Sequence, residues 1–164
     1  MNHMVFGQSP VPNARLEVFK ARRQMVLYSG QKPVRTFRVA LGLKPVGPKV
    51  RQGDRATPEG TYRITHKNPN SQYYKSLGVS YPNAQDARRG VQSGLITQTQ
   101  YNAIVSAVRR GLPPPSQTAL GGDIFLHGRG SATDWTWGCI ALDDSDMDYL
   151  FRIVPVGTPV LIHP

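Results

Sequence analysis

A single cysteine stands among 164 residues, so no disulfide within the chain can staple the fold. Long apolar runs are missing as well. No stretch approaches the ~18 residues of a membrane-crossing helix, and no transmembrane segment is expected. One cysteine with scattered His66, His127 and His163 forms no metal-ligand spacing, so no metal is expected. Phosphate-cradling glycine loops, dinucleotide fingerprints and nucleic-acid modules are absent, which leaves no cofactor and no nucleic-acid partner in view. The stretch Met1 to Ala14 lacks the basic and apolar segments of a secretion signal. A cytoplasmic protein would look like this, and so would a domain cut from an exported precursor whose signal lies outside the sequence. The lone cysteine suits an oxidising compartment.

Acidic residues are scarce, 10 against 20 Lys+Arg, and the imbalance is uneven. Residues 15–63 hold twelve basic and three acidic side chains, whereas residues 123–164 hold two basic and six acidic. The basic half reads either as a solvated surface or as a docking face for a polyanion such as an anionic wall polymer. Gly 16 and Pro 14 favour short strands and many turns, and 39% hydrophobic residues suffice for one core. We expect a flexible segment over 1–14 and a single mainly β domain over 15–164.

Strand-like alternation appears in several places. Leu16 and Val18, then Met25–Tyr28, flank the basic turn Lys20-Ala21-Arg22-Arg23 like a hairpin. Phe37, Val39 and Leu41 alternate within Val34–Leu41, and Tyr62 with Ile64 within Thr61–Thr65. Residues 42–60 read as a long loop. Short strands are expected at Asp123–His127, Gly138–Leu142 and Thr158–Ile162. Tyr101, Ile104, Val105 and Val108 follow a helical period, predicting a helix around 97–110 capped by Thr97 or Thr99. A second short helix is expected around 143–151, and the 86–122 insertion could pack on the sheet or overhang a cleft.

The chemistry concentrates in two glycine-edged strand ends. One is Ile124-Phe125-Leu126-His127-Gly128; ten positions after Gly128 comes Gly138-Cys139-Ile140-Ala141-Leu142. By itself a lone cysteine reads as a small buried apolar residue. Beside an imidazole it can act as a nucleophile, the histidine holding its proton and returning it to a leaving amine. With no Cβ at Gly138, the backbone N–H groups of Gly138 and Cys139 are a candidate oxyanion hole.

At these residues the chain resembles the YkuD (ErfK/YbiS/YcfS/YnhG, with YafK) family of L,D-transpeptidase catalytic domains. The resemblance rests on His127-Gly128, on Thr136-Trp137-Gly138-Cys139-Ile140, on Gly53-Asp54-Arg55-Ala56-Thr57-Pro58-Glu59-Gly60-Thr61-Tyr62, and on Ser76-Leu77-Gly78-Val79-Ser80-Tyr81-Pro82-Asn83. It implies a β-sandwich-like YkuD fold and a cysteine acyl-enzyme acting on peptidoglycan stem peptides in the cell envelope. Cys139 would be the nucleophile, His127 the base and acid, and the Gly128 carbonyl the group that orients the imidazole. Acceptor amines would yield 3→3 cross-links, lipoprotein attachment or D-amino-acid exchange; water would make the domain a carboxypeptidase or amidase. A non-catalytic basic binding module is the rival from another class. Trp137 and Ala141 stand where many family members carry His and Arg, which puts substrate and acceptor preference in question. Tyr62, Thr136, Trp137, Trp135 and Asp123 are the candidate substrate-binding residues.

Overall fold

The computed structural model describes residues 10–164. Most of the expected flexible segment therefore lies outside the described residues. Its last part is packed: the Val11 N–H donates to the Ile153 carbonyl (3.2 Å), and the first strand already starts at Ala14.

Eight strands form one sheet: β1 (Ala14–Phe19), β2 (Gln24–Ser29), β3 (Lys32–Arg38), β4 (Gly60–Ser71), β5 (Tyr74–Val79), β6 (Ile124–His127), β7 (Ile140–Ala141) and β8 (Pro159–His163). Their spatial order is β3-β2-β1-β8-β4-β5-β6-β7. The two ends of this order meet. Ala40, just past β3, exchanges backbone hydrogen bonds of 2.9 Å with Ala141 of β7, so the sheet curls back on itself. Alternation drives the curl. Leu16, Val18, Met25 and Leu27 point to one face and are fully enclosed, with Phe37, Ile64, Leu126 and Val160 in the same core.

Three α-helices complete the domain: α1 (Ala84–Gln92), α2 (Gln98–Arg109) and α3 (Asp144–Ile153). α3 buries Met147, Leu150 and Ile153 against the main core, while α1 and α2 close over a smaller cluster of Ala87, Ile96, Ile104 and Leu120. Thr97, not Thr99, caps α2: its hydroxyl accepts from the Gln100 N–H and the Gln100 side chain accepts from the Thr97 N–H.

Some expectations need correction. α1 is a further helix; its sequence AQDARRGVQ is too polar for an apolar stripe to show, and a reciprocal cap between Asn83 and Asp86 starts it. β4 runs six residues beyond Thr65 through a polar stretch, since it forms a two-stranded arm with β5 whose register shifts twice. Strand pairing in β3 stops at Arg38, although Val39 and Leu41 still point into the core.

The basic turn is not a solvated patch throughout. Lys20 is 2% exposed, and its ammonium donates to the Gly47 and Thr57 carbonyls (2.9 and 2.7 Å) and to Glu59 (3.0 Å). Lys49 is likewise buried against Asp54 at 2.9 Å. Arg23 pairs with Asp134 and Arg35 with Asp146, so part of the sequence's charge asymmetry is neutralised within the molecule.

Candidate active site

The β6–β7 pairing builds the site. These strands run parallel, with Leu126 beside Ile140 and His127 beside Ala141. One step back along both strands, Cys139 falls beside Phe125, whose N–H donates to the sulfur at 3.4 Å. Side chains two apart on β6 share a face, so Asp123, Phe125 and His127 line one wall of a cavity of about 400 Å³. Cys139, Thr136, Trp135, Trp137 and Tyr73 line the rest. His127 and Cys139 thus open onto the same space.

His127 is 2% exposed and held on three sides. Its Nδ1 lies 2.8 Å from the Gly128 carbonyl oxygen. A carbonyl only accepts, so Nδ1 carries the proton and Nε2 is the free basic atom. Tyr73 stacks on the imidazole at 4.7 Å between centroids, and Trp135 meets it edge-on at 5.4 Å. Burial holds the imidazole below the usual histidine range, against the opposing pull of the Gly128 carbonyl.

Cys139 is half-buried. Its Sγ–H points to the Asp123 carbonyl oxygen at 3.5 Å, and no hydrogen bond joins it to His127 among the described residues. Burial pushes the thiol up to about 11, with the nearby Asp123 adding to the rise and the Phe125 N–H opposing it. Burial thus favours the uncharged form of both groups.

The candidate oxyanion hole is narrower than expected. The Gly138 N–H donates to the Thr136 hydroxyl (3.1 Å), and that hydroxyl donates to the Cys139 carbonyl (2.7 Å). The Cys139 N–H makes no such bond among the described residues, which leaves it as the free donor of the two. Glycine at 138 answers to a different pressure from the one expected. Its φ is 135°, and a Cβ there would sit 2.8 Å from the Ala56 carbonyl oxygen. The tight fit is against the 42–58 loop rather than against a substrate.

The remaining candidates separate cleanly. Thr136, 3% exposed, uses its hydroxyl to shape the turn before Cys139. Trp137 is 73% exposed, with the Arg55 guanidinium 4.9 Å from its ring centre. Trp135 is fixed by its indole N–H to the Gly130 carbonyl (3.0 Å). Asp123 is exposed at φ 55° and sits at the cavity wall. Tyr62 is not brought to the cavity. It is 2% exposed and donates to Asp86 at 2.7 Å, bracing α1 from the core. No residue of 86–122 lines the cavity; α1 and α2 pack on each other around a separate cluster of Ala87, Ile96, Ile104 and Leu120.

Tyr73 escaped the sequence reading. It sits at the tip of the β4–β5 arm, and its carbonyl accepts from the Gly128 N–H at 2.9 Å. Nothing local marks it; only the fold brings residue 73 to residue 127.

Comparison with known proteins agrees with this architecture. The family model described as the L,D-transpeptidase catalytic domain, YkuD, matches residues 13–162. The chain belongs to that family. YafK of Escherichia coli (strain K12), a proposed L,D-transpeptidase, is 31% identical over 83 residues, 47% of this chain and 34% of YafK. The chain thus spans about a third of that relative's length. Among solved structures, the helical cell shape determining protein Pgp2 of Campylobacter jejuni superposes with a TM-score of 0.62 at 24% identity, covering 92% of this chain and 47% of Pgp2. The L,D-transpeptidase LdtMt1, solved in complex with imipenem, gives 0.53 at 14% identity over 92% of this chain and 59% of its own. At such identities the likeness is one of fold.

Proposed function

We propose that this domain is a cysteine-dependent L,D-transpeptidase acting on peptidoglycan stem peptides in the cell envelope. The observation that carries the reading is the shared cavity. Cys139 and His127 open onto it, and the Gly128 carbonyl holds the imidazole with Nε2 basic. Attack by Sγ on a peptide carbonyl forms the C–S bond as the thiol proton passes to Nε2. The Cys139 N–H lies beside the developing oxyanion, where one such donor is worth about 10²–10³ in rate. The imidazolium then protonates the leaving amine as the C–N bond breaks. An acceptor amine reverses the sequence: its proton goes to Nε2, the new C–N bond forms, and sulfur leaves and recovers its proton.

The cavity walls Phe125, Trp135, Trp137 and Tyr73 are largely aromatic. They offer flat apolar surface on which a donor or acceptor side chain can pack. Intact-mass spectrometry after exposure to imipenem tests the nucleophile: an adduct is expected on the wild-type chain and none on Cys139→Ser. Incubation with a tetrapeptide stem and a D-amino acid tests the outcome. An exchanged tetrapeptide is expected; a tripeptide alone would make the domain a carboxypeptidase, and neither product nor adduct would leave a binding module.

A further inference from the structure

A second cavity adjoins the one that holds His127 and Cys139. Tyr73 and Trp135, the two rings that wall the imidazole, also border this more open space of about 570 Å³, with Gln72, Arg129 and Thr133 on its other sides. Arg129 follows the His127-Gly128 pair directly and stands at φ 80°. Its N–H donates to the Asp144 carboxylate at 2.8 Å, which ties the backbone in place. A left-handed conformation costs an ordinary residue about 1–2 kcal/mol, and Gly or Asn would sit there with less strain. The backbone therefore gives no reason for arginine. Nor does packing: the residue is exposed, and among the described residues its guanidinium makes neither a hydrogen bond nor an ion pair. Arg15, Arg23, Arg35 and Arg89 pair with carboxylates. Among the described residues Arg51, Arg88, Arg109, Arg110 and Arg152 are unpaired like Arg129, but Arg129 is the arginine that lines this cavity.

We propose that this second cavity is the subsite for the leaving amino acid and for the acceptor that replaces it, and that Arg129 reads a free carboxylate on that molecule. The proposal rests on the transpeptidase reading above. His127 must give a proton to the departing nitrogen and later take one from the attacking amine, so that nitrogen lies on the imidazole's side of the reacting carbonyl. The rings bordering the imidazole, Tyr73 and Trp135, are also walls of the Arg129 cavity, so the two spaces adjoin on that side. A guanidinium presents a planar fork that matches a carboxylate with two parallel hydrogen bonds, which a neutral amide cannot return. Gln72 and Thr133 add neutral polar groups to the same walls. The ligand class is thus an amine that also carries a carboxylate, an amino acid or the carboxyl-terminal end of a short peptide.

The test uses the whole chain, a tetrapeptide stem as donor, and D-alanine or D-alaninamide as acceptor. The two acceptors differ in amine basicity, so the readout is the change in their KM ratio between variants, in which that difference cancels. In wild type we expect D-alanine to have the lower KM. Arg129→Gln should raise the D-alanine KM about tenfold and raise the tetrapeptide KM as well, since the donor's terminal carboxylate uses the same subsite. At saturating donor the D-alaninamide KM should stay within about twofold, and Arg129→Lys should recover part of the loss. The rate of imipenem addition to Cys139 should be the same in all three. A preference unchanged in Arg129→Gln overturns the proposal, as does its loss in Arg55→Gln instead. If imipenem adds normally in either case, the transpeptidase reading stands and the subsite alone fails. No adduct and no transfer in wild type would remove both.

Discussion

The sheet has two ends of different character. Around β1, β2 and β8, side chains such as Leu16, Val18 and Met25 are fully enclosed, and stability comes from apolar contact. Around β6 and β7, Ile124, Leu126 and Ile140 join the same core, and a network of polar groups is added to it. Thr136 bridges Gly138 and Cys139, Asp144 caps Arg129, Asp143 accepts from Ser131, and Gly128 takes bonds on both its N–H and its carbonyl. Glycines there sit at steric limits, since a Cβ on Gly128 would meet Asp144 and one on Gly138 would meet Ala56. The first end is held by the close packing of enclosed side chains. The second specifies atom positions, as a pair of reacting groups requires.

Substitutions should separate the two ends. His127→Ala is expected to lower kcat/KM by about 10³-fold or more, and the double variant with Cys139→Ser should lose little beyond either single one. Leu16→Ala at the opposite end should lower folding stability by about 2–5 kcal/mol while the folded fraction keeps wild-type kcat. Denaturant titration beside turnover on the same samples checks both. Activity loss in the folded Leu16→Ala protein would break the comparison.

Asp54 sharpens it, because it lies between the ends. Its carboxylate accepts from buried Lys49 and from the N–H groups of Val50, Arg51 and Ala56, the last preceding the turn that presses on Gly138. Burial alone would raise its pKa, but these bonds together hold it below the usual carboxylate range. A depressed folded value means that the stabilisation is full above the unfolded carboxylate pKa of ~3.9 and fades as pH falls through the folded value. Asp54→Asn leaves Lys49 buried without its counter-ion. The loss should be about 3–5 kcal/mol at neutral pH, and urea melts should show the gap to wild type closing in acid.

The smallest effect is on the thiol itself. Free cysteine alkylates with a midpoint near ~8.5, whereas Cys139 should react with iodoacetamide only slowly at neutral pH, its rate climbing toward a midpoint of about 11. A midpoint below that of free cysteine would mean that the resting site holds a thiolate ion pair. The turnover profile complements this. Since His127 is held below the ordinary histidine range, activity should persist to lower pH than an unperturbed imidazole allows, failing on the acid side once Nε2 is protonated.

Much of this was legible in residue order. The hairpin around residues 20–23, the α2 period and the α3 stripe announced themselves because their apolar spacing matches the backbone repeat. The arm formed by β4 and β5 did not, since its polar residues are held by pairing rather than burial. Lys20 looked like surface charge, and only the distant Gly47, Thr57 and Glu59 make its burial possible.

By itself the sequence determined the strand and helix periods, the two glycine-edged motifs, and through them the family, with Cys139 and His127 as the candidate nucleophile and base. These are local properties, carried by side chains a few positions apart. The tertiary structure alone decided that Tyr73 stacks on His127, that Gly138 gives its N–H to Thr136, that Tyr62 serves the core, and that Arg129 lines a cavity sharing Tyr73 and Trp135 with the one at His127. Each depends on groups far apart in the chain. The protonation of Cys139 belongs with them, because desolvation and nearby charge are set by what folds around a sulfur.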